Sequence, residues 1–222
     1  MEVQTDTIRI HYEKRGSGRP LIMLHGNGES GKIFNAAAKR LASQYTVFLP
    51  DSRDHGQSEQ TGQISYPLMA EDLYDFIQKL NIQKPILYGF SDGGIIALLF
   101  AVQHPDIPAA LIVSGANTTP AGLKPIVRLG MQFNYLITKS KKTKMMLREP
   151  NITKEMLQSI TVPTLVTCGG QDMIKECDSR FIAENIPHAA LQILKGENHG
   201  SYIVNSTKIA EIIQHYITQT GI

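Results

Sequence analysis

Hydrophobic positions along this chain fall into two alternating rhythms. Short, nearly continuous apolar runs occupy residues 20–25 (PLIMLH), 45–50, 85–90 (PILYGF), 109–115 (AALIVSG), 163–169 (PTLVTCG) and 191–194 (LQIL), with an earlier strand-like run at 8–12. Runs this short with few polar breaks fit strands covered on both faces. Between them the period changes. Over residues 66–80 the apolar side chains Leu68, Met69, Leu73, Phe76, Ile77 and Leu80 recur at three-and-four spacing, which lays one stripe along a helix. Residues 30–41, 94–103, 178–185 and 206–218 carry helical patterns as well. Strand, helix and strand in repetition require crossover connections, hence a mainly parallel sheet with helices on both faces. Sheets of this kind present their chemistry at the carboxyl ends of the strands.

Residues 118–161 interrupt the rhythm. They hold two expected helices and a basic patch of Lys139, Lys141, Lys142 and Lys144, between two expected core strands. The segment reads as an insertion over the active edge of one domain spanning residues 1–222. The lysines read as a solvated helix face.

Composition narrows the class without changing it. At 222 residues, 42% hydrophobic and 19% charged, the chain suits one sizeable core. A formal charge of +2 is too mild for a nucleic-acid partner. No signal-peptide pattern or bilayer-length apolar run is present, so a cytoplasmic protein without a membrane partner is expected. The two cysteines, Cys168 and Cys177, match no zinc spacing and are expected to be reduced.

Four motifs carry chemistry. GFSDGG (residues 89–94) follows a strand and opens a helix, the context of a G-x-S-x-G nucleophile elbow. Such a turn exposes the Ser91 hydroxyl and directs the next backbone N–H, that of Asp92, toward a developing oxyanion. A serine hydroxyl needs a base at neutral pH. Among seven histidines, His199 in KGENHGS follows the last expected strand and is the candidate; His11, His104, His188 and His215 read as structural or solvent-facing. A carboxylate must orient that base, and Asp172 in CGGQDMI follows a strand and a Gly-Gly turn at the same sheet edge. Asp178 is the rival, read instead as a helix N-cap. HGNGES (residues 25–30) is a Gly-rich turn whose Asn27 N–H is the candidate second oxyanion donor, with Gly28 as the alternative.

The order Ser91, Asp172, His199, with the HG turn upstream, resembles the α/β-hydrolase superfamily. The likeness runs from PLIMLHGNG through DSRDHGQS and GFSDGG to VPTLVTCGGQD and NHG. It implies an eight-stranded, mostly parallel sheet with a short helical lid at 118–161, and ester or related acyl hydrolysis of a small molecule without metal or organic cofactor. DSRDHGQS (residues 51–58) is similar to the family's D-x-R-G-x-G-x-S loop, with Asp54 where glycine is usual and Arg53 as a structural ion-pair former. The elbow is also similar to that of the valacyclovirase-like branch, which likewise has aspartate after the serine. From the lid, Met131, Phe133, Tyr135, Met145 and Met146 are expected to line an apolar, adaptable pocket. Carbon–carbon bond hydrolysis, a lyase, cofactor-free peroxidation, and a hydrolase-fold ligand-binding signalling protein are the competing expectations. Haloalkane dehalogenation is disfavoured, because that chemistry places aspartate where this chain has Ser91.

Overall fold

A computed structural model describes residues 1–222. One sheet of eight strands crosses the molecule in the order β1 (Glu2–Gln4), β2 (Arg9–Arg15), β4 (Tyr45–Pro50), β3 (Arg19–Leu24), β5 (Ile86–Phe90), β6 (Ala110–Ser114), β7 (Thr164–Gln171), β8 (Ala189–Asn198). From β4 to β8 every pairing is parallel, and only β1 and β2 run against their neighbours. The central strands β5 and β6 are buried at every residue, as their unbroken apolar runs require. β1 was not anticipated: three residues of EVQ carry no periodicity of their own and form a strand only by pairing with Arg9–His11.

Helices α1 (Asn35–Leu41) and α8 (Lys208–Thr220) cover one face; α2 (Tyr66–Lys79), α3 (Asp92–Gln103) and α7 (Glu176–Asn185) belong to the other. The sheet therefore separates two apolar cores. Phe76, Leu87, Ile96, Phe100 and Leu111 sit in one, and Phe34, Leu41, Tyr88, Ile112 and Tyr202 in the other. The helix expected over 30–41 splits into a 3₁₀ turn (Gly31–Phe34) followed by α1. Gly31 lies against the backbone of Leu49, where a Cβ would come within 2.8 Å of the carbonyl oxygen, and that close approach shapes the tight first turn.

Between β6 and β7 the chain forms a 3₁₀ turn and three helices, α4 (Pro125–Thr138), α5 (Lys141–Arg148) and α6 (Lys154–Gln158), where two were expected. α6 has its own cap, the Thr153 hydroxyl accepting from Met156 N–H, but only five helical residues, too few for a periodic signal. α4 contains no buried residue. No helix is long and apolar enough to cross a membrane.

The 51–58 loop accommodates its unusual aspartate. Asp54 adopts φ 59°, the left-handed region that explains a customary glycine, and its carboxylate accepts the Thr61 and Gly62 N–H groups in return. Arg53 forms a two-point ion pair with Asp72 of α2 (2.5 and 2.6 Å) and donates to the Gln63 carbonyl. Both side chains are buried, so this paired geometry leaves little charge unsatisfied.

Candidate active site

The elbow is made by glycines. A Cβ on Gly89 would lie 2.2 Å from the Gly93 carbonyl oxygen, and one on Gly93 would lie 2.1 Å from the Leu24 carbonyl oxygen. Only residues without side chains let α3 start this close to β3 and β5. Ser91, held at φ 54° and ψ −117°, bears the strain of the turn and projects from it.

The Ser91 hydroxyl lies 3.0 Å from His199 Nε2, and His199 Nδ1 lies 2.6 Å from Asp172 Oδ1. Burial pushes the Asp172 carboxyl up, but the His199 ring and the N–H groups of Ile174 and Gly169 together hold it below the ordinary carboxylate range. An ionised Asp172 can only accept, so Nδ1 carries the proton and Nε2 is left to accept from the serine. Gly115, at φ 61°, makes the seat for this ring: a Cβ there would come within 2.8 Å of it. Phe90 also packs against the ring, with centroids 4.9 Å apart. The structure thus brings Ser91, His199 and Asp172, separated by up to 108 residues in sequence, into one hydrogen-bonded line.

Asp178, the rival acid, makes no hydrogen bond to this line and is not the N-cap it was expected to be. Lys175 holds that position, and Asp178, in the first turn of α7, accepts the N–H and hydroxyl of Thr118. Of the other histidines, His188 and His215 are exposed, and His25, His104 and His11 have structural surroundings. His25 donates from Nδ1 to the Gly26 carbonyl and accepts the Ser52 N–H at Nε2, which pins it as a neutral ring linking the HGNG turn to the 51–58 loop. Burial lowers its pKa. His104 stacks on Tyr74 at 4.3 Å, and His11 meets Asp51 at 3.1 Å.

The Asn27 N–H has no acceptor within the protein, and Asp92 is the first residue of α3, where a helix leaves its N–H groups unpaired. Asn27 lines the cavity above Ser91, whereas Gly28 does not. The side chains of these two residues meet: Asn27 Nδ2 donates to Asp92 Oδ2 (2.8 Å), and the Tyr66 hydroxyl donates to Asp92 Oδ1 (2.9 Å). Burial lifts the Asp92 carboxyl to about 6 against the pull of these two donors. Sequence reading credited Asp92 with its backbone alone. A tyrosine opening an amphipathic helix gave no sign that its hydroxyl would meet a carboxylate 26 residues away.

A cavity of about 520 Å³ opens over Ser91, lined by Asn27, Glu29, Phe90, Val127, Met131, Asn134, Met146 and Met173 among others. Met131 and Met146 lie where the sequence placed them. Phe133, Tyr135 and Met145 do not line it. Phe133 is 66% exposed on the outer side of α4, Tyr135 lies beneath the Lys139 ammonium, and Met145 is buried in the core beside α2 and α3. The five-residue apolar list had no helical phase, and α4 turns 127, 131 and 134 inward, which carries 133 away. Glu29 was missed. Its Oε2 accepts the Gly26 N–H at 3.0 Å, and burial raises its carboxyl above the ordinary value.

Residues 19–136, which include the elbow, match a known family, that of the alpha/beta hydrolase fold. The chain belongs to that family. It is 26% identical to the AB hydrolase superfamily protein YisY of Bacillus subtilis, over 94% of this chain and 95% of that one. Other relatives match over a shorter stretch, about half of this chain and 34% of their own length. Among solved structures, the esterase of Exiguobacterium antarcticum superposes with a TM-score of 0.81 at 24% identity, covering 98% of this chain and 99% of that one. The thermophilic esterase of Thermogutta terrifontis gives 0.80 at 20% identity, over 99% and 98%. At such identities these two likenesses speak for the fold.

Proposed function

We propose that the protein is a serine hydrolase that cleaves a small carboxylic ester, or a related acyl bond, through an acyl-enzyme. The observation that carries this reading is the line from Ser91 through His199 to Asp172, with contacts of 3.0 and 2.6 Å. Ser91 Oγ attacks the substrate carbonyl carbon as its proton passes to His199 Nε2. Asp172, ionised and hydrogen-bonded to Nδ1, stabilises the imidazolium. The backbone N–H groups of Asn27 and Asp92 receive the oxyanion. The imidazolium then protonates the departing alcohol, and water repeats the sequence on the acyl-enzyme, leaving the acid and free Ser91. No metal or organic cofactor takes part in this scheme.

The segment at 118–161 acts here as a lid. Val127, Met131 and Met146 supply an adaptable apolar wall for the acyl or alcohol group, and Asn134 and Thr143 give it polar points of contact. A cavity of about 520 Å³ suits a short-chain ester.

The test is activity on p-nitrophenyl acetate and butyrate together with labelling by a fluorophosphonate probe. Wild-type protein is expected to turn over both esters and to label at Ser91. Ser91→Ala is expected to abolish labelling, and both Ser91→Ala and His199→Ala to lower kcat by ~10³-fold or more. Wild-type protein that neither labels nor hydrolyses either ester would remove the assignment.

A further inference from the structure

Helix α4 presents an apolar face that nothing in the protein covers. Ile126, Leu129, Phe133, Leu136 and Ile137 are 61–75% exposed. At about 100° of turn per residue these five side chains fall within one arc of roughly 100°, turned away from the Val127, Met131 and Asn134 side that lines the cavity. Isolated exposed apolar residues are ordinary; five in one stripe on a helix with no buried residue are not.

The charge around that stripe is one-sided. From Lys124 to Arg148 the chain carries seven cations, Lys124, Arg128, Lys139, Lys141, Lys142, Lys144 and Arg148, and no aspartate or glutamate. None of the seven takes part in an ion pair. The whole chain is only +2, so the remainder is net acidic and the positive charge is concentrated here. On α4 Arg128 lies beyond Gln132 to one side of the stripe, Lys139 caps the helix's C-terminal end, and Lys141, Lys144 and Arg148 are exposed on α5 directly after it. An apolar arc with lysine and arginine beside it and at its end is the form of a helix that lies in the plane of a lipid surface. Two copies meeting stripe to stripe would instead bring their cations together, with a like-charge cost.

We propose that α4 docks this protein on an anionic lipid surface, the five apolar side chains entering the headgroup boundary while the flanking cations meet lipid phosphates. In that orientation the cavity over Ser91 lies beneath the docked helix. The sequence, read for bilayer-spanning runs, could not reveal this: a surface helix needs no such run, and its exposure is visible only once the fold leaves it uncovered.

Vesicle binding tests the proposal with no use of catalysis. The chain has no tryptophan, so Phe133→Trp supplies a lone fluorescent reporter in the stripe. With vesicles of 30% phosphatidylglycerol in phosphatidylcholine, F133W is expected to shift its emission to the blue. Wild-type and Ser91→Ala proteins are expected to co-sediment with these vesicles equally, at least tenfold more tightly than with pure phosphatidylcholine. Raising salt from 0.05 to 0.5 M is expected to weaken binding at least tenfold. Leu129→Glu, at a site in contact with solvent, is expected to keep the wild-type circular dichroism and to lose vesicle binding at least tenfold. Absence of binding to the anionic vesicles at low salt would overturn the proposal, as would undiminished binding by L129E. A concentration-dependent dimer that L129E dissolves, in a protein that ignores vesicles, would assign the stripe to self-association instead.

Discussion

Two buried side chains of opposite chemistry push the acid response of this protein in opposite directions. Asp92, fully enclosed beneath Asn27 and Tyr66, has its carboxyl lifted by burial to about 6. The unfolded value is near 4, so its charge costs stability above pH 6 and the cost is relieved as pH falls from 6 to 4. His55 does the reverse. Its Nδ1 donates to the Arg53 carbonyl and its Nε2 has no partner, so the ring is neutral, and burial lowers its pKa to about 4. Below an unfolded value near 6.5 the unfolded chain binds the proton first, and stability is lost as pH falls from 6.5 to 4. Each effect amounts to about 3 kcal/mol at full extent, and between pH 4 and 6.5 they oppose. Asp92→Asn is therefore expected to make the protein lose more stability than wild type between pH 7 and 4.5, and His55→Gln to lose less. Urea unfolding at the two pH values measures both differences. Equal slopes in all three proteins would refute the assignment.

At the scale of elements, the strand–elbow–helix unit was legible because its signal is local. GFSDGG names the turn, and the packing around it shows why its glycines are there. Gly93→Ala would thrust a methyl to 2.1 Å from the Leu24 carbonyl oxygen, and is expected to cost on the order of 3 kcal/mol. Gly130→Ala, in an open position of α4, is expected to leave stability unchanged or raise it by up to about 1 kcal/mol. The same pair of urea titrations that gave similar losses for both would show that helical glycine alone, not the contact, sets the cost. The parallel strands were legible for a like reason, being continuous apolar runs. What escaped was whatever depends on partners far along the chain. β1 exists by pairing, Asp178 caps a loop 60 residues away instead of its own helix, and the side chains of Asn27, Tyr66 and Asp92 meet from three separate elements. The phase of α4 was hidden as well. Its apolar residues lie on both the cavity side and the solvent side, and composition alone assigned Phe133 to the wrong one.

Across the whole molecule, the members of the candidate site are not held with equal firmness. Ser91 rises from β5, at the centre of the sheet and buried on both faces. His199 follows β8, which pairs with β7 alone, stands last in the sheet order, and has one buried residue, Leu194, in ten. Regions with few buried contacts open first, and an outermost strand can peel away while the central strands stay paired. The nucleophile thus sits on bedrock and its base on the shoreline. Mild urea is expected to silence ester hydrolysis at concentrations where the far-ultraviolet signal of the helices is still intact, and amide exchange along residues 189–198 should outpace that along 86–90. A chain worn at this margin would keep its shape and its serine while losing the means to activate it.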